Sequence, residues 1–357
     1  MIWISRVWRL LNVGAGRVHH PSREMSISSK NIASLDIGSH TARLLVSQWR
    51  EGAGLKPLLR RRAYIKLAED FEIPEPRTIK PAAVERTLLV LEDFVSNARR
   101  LGATEIVAVA TGVVREASNQ AAFLKAIRNR TGIEVKTISG EEEAFLTGLG
   151  VRHALQICKE PFVIFDLGGG TTEFLIGVGE VVQAFSLPLG AAIYTHRFIR
   201  SDPPCAREVE SIGKEISKVL QAIHLPRPSE RYLLVGTGGT VTTLATLIHK
   251  ISIDETSPER MNGLILTVAD LEDLLTRMKK MAMHERVDLL GLDPERANVI
   301  LAGFFIVMMI MRYFQSSELR VSLSDLLEGT LIDFLGEEGD PKSMMSPSPY
   351  LKSGLFL

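Results

Sequence analysis

The pattern of apolar and polar positions predicts an α/β chain in which short buried strands alternate with amphipathic helices. The run Phe162 to Leu167 is apolar except for Asp166 at its carboxyl end. The glycines Gly168, Gly169 and Gly170 follow, and a second apolar run from Phe174 to Val178 comes after Thr171 and its neighbours. We interpret this stretch as a strand, a tight turn and a returning strand, with a carboxylate and exposed backbone N–H groups at the turn.

A second copy of this unit lies near the start of the chain. Leu35 to Val46, LDIGSHTARLLV, superposes without a gap on FDLGGGTTEFLI, which places Asp36 on Asp166 and Gly38 on Gly168. A single turn of this kind is as often a plain hairpin as a ligand loop. Repetition of the whole unit predicts two similar lobes, each presenting an acid and a glycine turn to a shared phosphate-binding cleft.

A third glycine turn follows the strand predicted at Tyr232 to Val235. It runs from Gly236 to Thr240, includes Gly238 and Gly239, and opens onto a helical pattern. A helix N-terminus after a strand and a glycine turn is a ready anion site. A simple strand-to-helix turn is the alternative, and three such turns in one chain favour ligand binding.

Three consecutive acids, Glu141 to Glu143, follow Ser139 and open a helical pattern that continues to Leu155. Ser139 is a plausible N-cap and acids in the first turn favour the helix dipole, but this structural explanation does not use all three carboxylates. The position between the predicted lobes would place one of them at the cleft, where hydrolysis of a phosphoanhydride needs a general base. Arg115, just after a strand, is by position equally a phosphate clamp or a surface residue.

The remaining apolar spacings place the other helices and strands. The predicted helices are Ala82–Leu101, Asn119–Arg130, Arg207–Ile223, Val241–Ile248, Val268–Met281, Pro294–Phe314 and Ser324–Leu335. The further predicted strands are Leu55–Leu67, Glu105–Ala110, Glu134–Ile138, Val181–Leu187 and Leu319–Leu323.

Composition narrows the function classes. The 357 residues suffice for two domains, and the formal net charge of zero implies no bulk attraction to nucleic acid or membrane. The two cysteines, Cys158 and Cys205, match neither a disulfide framework nor a metal-ligand spacing, which favours a reducing cytoplasm. The apolar run Val299 to Met311 is shorter than the roughly 20 residues that a bilayer requires.

The ordered motifs resemble one family, that of the exopolyphosphatases and guanosine pentaphosphate phosphatases within the actin, Hsp70 and sugar kinase superfamily. The matching stretches are LDIGSHTARLLV, ATGVVREASN, ISGEEEAFLTGLGV, FVIFDLGGGTTEFLI, SLPLGAA, LLVGTGGTVTTLATL and GLDPERANVILAG. The resemblance implies a two-lobed actin-like (ribonuclease H-like) ATPase fold with the active site in the interlobe cleft. It implies lobe I at residues 31–140, lobe II at 141–323, and a C-terminal helix at 324–335 that can return to lobe I.

The same resemblance suggests roles for individual residues. Glu143 is similar to the family's catalytic base, while Asp166 and Glu173 resemble acids that handle Mg²⁺ and the attacking water, with Asp36 as a third metal ligand. The residues that resemble the family's phosphate binders are Gly38, Ser39, His40, Arg115, Gly168, Gly169, Gly170, Thr171, Gly238, Gly239 and Thr240.

Three positions depart from the family pattern. His40 stands where an asparagine is usual, and Ile193 and Leu327 stand where arginines are expected. If those arginines hold the anion away from the reacting end, their loss weakens binding of long polyphosphate more than it damages hydrolysis.

We therefore expect a magnesium-dependent phosphohydrolase that acts on inorganic polyphosphate or guanosine pentaphosphate. A regulatory protein with weak turnover and an ATP-dependent kinase of the same superfamily are the alternatives. The oligomeric state stays open, with a homodimer among the choices. Residues 1–30 are interpreted as an extension, with translation from Met25 favoured, and residues 336–357 as a disordered tail.

Overall fold

The structure is a computed structural model that describes residues 29–51, 54–68, 77–179 and 181–338. The predicted extension lies outside the described residues apart from Ser29 and Lys30, which begin the first strand. The predicted disordered tail is described only as far as Glu338, and its first three residues continue the last helix.

The first part of the described chain contains five strands and four helices. They are β1 Ser29–Ile37, β2 Thr41–Arg50, β3 Gly54–Tyr64, α1 Pro81–Arg100, β4 Ala103–Ala110, α2 Val113–Glu116, α3 Gln120–Thr131, β5 Val135–Thr137 and α4 Gly140–Leu155.

The second part contains six strands and eight α-helices among the described residues. They are β6 Phe162–Leu167, β7 Thr172–Val178, β8 Val181–Leu187, α5 Ala191–Phe198, α6 Ala206–Ile223, β9 Leu233–Thr237, α7 Gly239–His249, α8 Pro258–Met261, β10 Ile265–Thr267, α9 Val268–Met278, α10 Met283–Leu290, α11 Pro294–Tyr313, β11 Glu318–Val321 and α12 Leu326–Glu338.

The two sheets confirm the internal repeat. The first sheet has the order β3-β2-β1-β4-β5 and the second has the order β10-β11-β9-β6-β7-β8. In each, a central strand pairs antiparallel with the strand that follows it and parallel with a strand on its other side. The strands β6, β7, β8, β9 and β11 therefore repeat the topology of β1 to β5, and β10 is added at one edge.

Side-chain alternation along the strands covers both faces of each sheet. In β1, Ala33, Leu35 and Ile37 join the core beneath α1 and α3, while Ile32 packs with the last helix on the other face. In β6, Phe162 and Ile164 pack with residues of α4, on the face opposite to the main core of the second sheet. Asp36 and Asp166 have even numbers as well, so alternation places them on the faces that α12 and α4 cover.

The two helices that cover these faces pack tightly on each other. A Cβ added at Gly329 of α12 would lie 1.7 Å from the carbonyl oxygen of Leu146 in α4. A Cβ added at Gly150 of α4 would lie 2.1 Å from the carbonyl oxygen of Asp325. Because glycines stand at both contacts, the two backbones approach closely, and α12 also packs against β1, β2 and β4 of the first sheet.

Leu327 requires a correction. It is 1 % exposed and packs in an apolar cluster with Ile32, Leu45 and Leu331. Its backbone carbonyl accepts a 2.9 Å hydrogen bond from the hydroxyl of Ser34. Leu327 therefore anchors α12 to the first sheet and does not line a groove open to a phosphate chain.

Some short elements had no prediction. The helices α2, α5, α8 and α10 and the strand β10 have between three and eight residues, too few for periodicity to be distinctive. The boundaries of the longer elements agree with prediction to within three residues. Helix α1 is shifted by one residue, and α6 and α11 each differ by one residue at one end.

Helix α11 is long and apolar enough, by length and composition alone, to cross a membrane. Two thirds of its apolar stretch is buried inside the protein, where it packs against α5, α6, α7 and α10. We therefore interpret it as the core helix of the second lobe.

Candidate active site

The carboxylates of the site follow from strand register. In the first hairpin Asp36 lies opposite Arg43, and in the second Asp166 lies opposite Glu173. The same backbone unit therefore holds a carboxylate and a guanidinium group in one lobe and two carboxylates in the other. Glu173 shares a sheet face with Leu175, which packs with the apolar side chains of α4, so it lies on the same side as Asp166.

Asp36 is buried, and one of its oxygens has no hydrogen-bond partner. The Arg43 guanidinium donates Nε–H to Asp36 Oδ2 at 2.8 Å, and its Nη1 donates to Asp325 just before α12. Asp36 Oδ1 is fully buried without a hydrogen bond. Burial raises the pKa of Asp36, and the positive charge of Arg43 opposes that rise.

Asp166 and Glu173 are 7 % and 3 % exposed. Burial is the main cause that raises the pKa of Asp166 to about 8. The nearby negative charges of Asp325, Glu173 and Asp36 add to this rise, and the positive charge of Arg43 opposes it. Burial also raises the pKa of Glu173 to about 7, although Thr171 and Ser186 donate hydrogen bonds to its carboxylate. The Ser186 hydroxyl lies 2.8 Å from Glu173 Oε1. The site concentrates more negative charge than its arginines balance.

Glu143 is the acid in the first turn of α4 that the helix cap does not use. Ser139 Oγ accepts from the backbone N–H of Glu142 at 3.1 Å, and Glu142 Oε2 accepts from the N–H of Ser139 at 2.8 Å, a complete capping box. Glu141 is exposed. Glu143 instead lies in the cleft, with its side chain 12 % exposed and its Oε2 without a hydrogen bond.

Several charges act on Glu143. Burial raises its pKa well above the ordinary glutamate range, and the charges of Glu173, Asp36 and Asp166 raise it further. Arg115 lowers it, with Nη1 3.8 Å from Glu143 Oε2. The same nitrogen donates to the carbonyl of Ile138 at 2.9 Å, which fixes the guanidinium at the cleft.

The first two glycine turns face each other across the cleft. In each, the glycine N–H donates to a threonine carbonyl three residues on, Gly38 to Thr41 and Gly168 to Thr171, both at 3.0 Å. A Cβ at Gly170 would lie 3.8 Å from Ser39 Oγ, and one at Gly169 would lie 3.7 Å from the Cβ of His40. The Ser39 hydroxyl accepts from the N–H of Val113 at 3.1 Å, so it also holds the start of α2.

The third turn lies close to Asp166. Gly238 has φ +95°, and a Cβ there would lie 2.7 Å from Asp166 Oδ1. Gly239 begins α7, whose first N–H groups have no partner within the helix. The Thr240 side chain packs against Gly303 of α11 and therefore points away from the acids. The predicted acids and all three glycine turns thus lie together in one region of the protein. The Thr240 side chain is the exception, because it packs away from this region.

Sequence reasoning missed Arg43, Asp325 and Ser186. The length of the first turn sets the register that pairs Arg43 with Asp36, so the sequence contained the information needed to predict this contact. Asp325 and Ser186 are brought in only by the packing of α12 and β8. Ile193 lies at the cleft mouth, 48 % exposed, and a Cβ at Gly170 would lie 3.7 Å from its Cδ1.

No three His, Cys, Asp or Glu side chains of the described residues are close enough together to form a ready-made metal cage. The unpartnered Asp36 Oδ1 and the upward pKa shifts of the four carboxyls still fit a cation. Mg²⁺ is commonly bound by one or two carboxylates, waters and substrate phosphates, and the donor set present suits that arrangement.

Two α/β lobes of one repeated topology, with acids and glycine turns meeting between them, define an actin-like phosphohydrolase fold. Residues 45–338 match the model of the Ppx/GppA phosphatase family, and the chain belongs to that family. The family resemblance and the fold class predicted from the sequence are confirmed.

Two kinds of relative show this similarity. Exopolyphosphatase 1 of Mycobacterium tuberculosis is 29 % identical over 319 residues, which cover 88 % of this chain and 91 % of that protein. The crystal structure of the Aquifex aeolicus Ppx/GppA family member has a TM-score of 0.76 and 30 % identity, and covers 88 % of this chain and 100 % of its own. An exopolyphosphatase from Cytophaga hutchinsonii shares the fold, with a TM-score of 0.77 over 86 % of this chain and 98 % of its own and 24 % identity.

Proposed function

We propose that this chain releases the terminal phosphate from inorganic polyphosphate or a related phosphoanhydride such as guanosine pentaphosphate. One observation carries the proposal: Glu143 is a largely buried carboxylate, outside the capping box, beside three further acids and three glycine turns. The names of the mycobacterial relatives support polyphosphate as substrate. The exposed free cysteines suit the cytoplasmic location that we include in the proposal.

In this mechanism the glycine turns bind the phosphates through backbone N–H groups, and Arg115 binds the terminal phosphate by charge-assisted hydrogen bonds. Glu143 accepts the proton of a water that attacks the terminal phosphorus in line with the leaving oxygen. Arg43 holds Asp36 by one oxygen and leaves the other to the site.

Asp36, Asp166 and Glu173 would hold Mg²⁺, with substrate phosphates completing its ligands. The ion would neutralise the charge that develops on the phosphate oxygens. Neutralisation of the acids by a cation would also lower the pKa of Glu143 and favour its basic form.

The proposal is tested by measuring phosphate release from long polyphosphate, tripolyphosphate, guanosine pentaphosphate and ATP. We expect release from at least one of the first three with Mg²⁺ present and none with excess chelator. Turnover of ATP with transfer to an acceptor would favour the kinase alternative, and binding without turnover of any substrate would favour the regulatory one.

A further inference from the structure

The edge strand of the first sheet ends against the second lobe. Tyr64, the last residue of β3, donates its hydroxyl to Asp293 Oδ2 at 2.8 Å. Two residues on, Lys66 Nζ lies 2.6 Å from Glu295 Oε1. Asp293 is the N-cap of α11 and Glu295 lies in its first turn.

Lys66 is fixed to the first glycine turn by its backbone. The carbonyl of His40 accepts hydrogen bonds from the N–H groups of both Ile65 and Lys66, each at 3.0 Å, and the carbonyl of Ser39 accepts from Ala68 at 2.9 Å. Lys66 has φ +52°, a left-handed conformation that turns the chain beneath this loop. The backbone of Lys66 therefore keeps a set position relative to the phosphate-binding turn, and its flexible side chain can reach groups beside that turn.

A single carboxylate faces two side chains of this region. Glu295 Oε1 pairs with Lys66, and Glu295 Oε2 lies 3.9 Å from His40 Nε2. His40 in turn faces Gly169 of the second turn. The Glu295 carboxylate thus lies close to both Lys66 and His40, beside the place where the turns of the two lobes meet.

We propose that Lys66 binds a phosphate of the substrate chain, and that Glu295 occupies Lys66 as an internal competitor when the cleft is empty. The inference rests on the proposed function, because it assumes a phosphate chain in this cleft. The Lys66 and Glu295 side chains are 26 % and 34 % exposed, so solvent screens their ion pair and it contributes little net free energy. A polyphosphate carries a negative charge on every phosphate and offers several oxygens for charge-assisted hydrogen bonds, so it displaces the single carboxylate of Glu295.

For Glu295→Gln, the competitor role and a purely structural role predict opposite changes in the affinity for polyphosphate. If Glu295 competes, Glu295→Gln strengthens binding of polyphosphate and Lys66→Met weakens it. If the pair only holds the lobes together, both substitutions disturb the same contact and shift binding in the same direction. The sign of the Glu295→Gln effect therefore decides between them.

The test measures the Kd of polyphosphate of one defined length by calorimetry with Mg²⁺, in proteins that carry Glu143→Gln so that the probe is not consumed. We expect Glu295→Gln to lower Kd about 3- to 10-fold and Lys66→Met to raise it about 10-fold, the range for a partly screened charge contact. The double variant should lie close to Lys66→Met alone, since without the lysine Glu295→Gln relieves only the longer, 3.9 Å approach of Glu295 to His40. Lys66→Arg should retain most of the binding.

Glu210→Gln is the matched control, because Glu210 pairs with Lys214 on an exposed helix face and its removal changes the net charge equally. It should leave Kd unchanged. An unchanged or raised Kd in Glu295→Gln would overturn the competitor role while leaving the proposed function intact. Failure of the protein without changes at Lys66 or Glu295 to bind polyphosphate would overturn both.

Discussion

Glu142 and Glu143 are neighbours in the chain, and helix geometry gives them different surroundings. Glu142 closes the capping box on Ser139, whereas Glu143 points into the cleft toward Asp36, Asp166 and Glu173. The 100° step between successive helix residues is enough to separate a structural acid from a catalytic candidate.

Replacement of Glu143 by Gln removes the proton acceptor and keeps the side-chain shape. We expect the rate of phosphate release to fall about 10²- to 10⁴-fold with little change in melting temperature. Glu142→Gln is the control, because glutamine also completes a capping box and activity should persist. Near-normal kcat in purified Glu143→Gln would remove Glu143 from the mechanism.

The raised pKa of Asp166 predicts a pH-dependent stability. Burial raises this pKa from 3.8 to about 8, so the folded protein holds a proton that the unfolded chain releases above about pH 4. The free energy of unfolding should therefore fall as the pH rises from about 4 to about 8.

The substitution Asp166→Asn removes the free-energy cost of ionising this buried carboxyl in the folded protein. In chelator, we expect Asp166→Asn to stabilise the protein more at pH 8.5 than at pH 5, by on the order of 2 to 4 kcal/mol, because at pH 5 the unfolded chain is only about one pH unit above the pKa of its aspartate. Urea unfolding at both pH values measures the difference. Equal effects at the two pH values would show that burial does not perturb this carboxyl.

At the scale of elements, the helix that carries Glu143 is positioned by backbone contact with the last helix. Gly329 of α12 lies against Leu146 of α4, and Gly150 of α4 lies against Asp325. The separation of the two helices therefore depends on the absence of side chains at these two glycines. The contact links the helix that carries Glu143 to the segment that presents Asp325 to Arg43.

Gly329→Ala should separate these helices, because its Cβ would lie 1.7 Å from a backbone carbonyl that cannot move independently. We expect a loss of at least about 2 to 3 kcal/mol in unfolding free energy and reduced kcat, as for an overpacked core. Gly213→Ala on α6 is the control, since nothing lies within 4 Å of its added Cβ. It should stabilise the protein by roughly 0.5 to 1 kcal/mol. Equal stability of the two variants would contradict the tight crossing.

At the scale of the whole molecule, the two positions where the family pattern predicts arginine have different environments. Ile193 is half exposed beside the second turn, and Leu327 is buried between α12 and the first sheet. Only Ile193 can bear on substrate length. We also propose that the lobes divide near residues 140 and 323, with α12 returning to the first lobe, as its contacts with β1, β2 and β4 support.

We expect Ile193→Arg to fold normally and to raise kcat/KM for long polyphosphate by up to about 10-fold, with no gain on tripolyphosphate. Leu327→Arg should instead cost about 3 kcal/mol or more, because it buries an unpaired charge. Thermal unfolding and kcat/KM against chain length test both. A gain in long-chain activity from Leu327→Arg without loss of stability would contradict its buried position.

The sequence by itself determined the local units of this protein. Apolar runs, glycine turns and a capping residue are short-range signals. They predicted the repeated hairpins, the third turn and the longer helices, and they indicated that the cap at Ser139 does not need all three acids that follow it. The family motifs placed these units in a two-lobed fold. Asp36, Asp166 and Glu173 could be nominated from their places in the repeated hairpins, whereas Glu143 was singled out among three adjacent acids by the family resemblance.

The tertiary structure alone decided which distant residues meet these units. Asp325 joins Arg43 across 282 residues of chain, and Lys66 reaches Glu295 across 229. Leu327 became a core residue because α12 docks on the first sheet. Such contacts depend on how whole elements pack, and packing is set by buried surface summed over many residues, which no local pattern encodes.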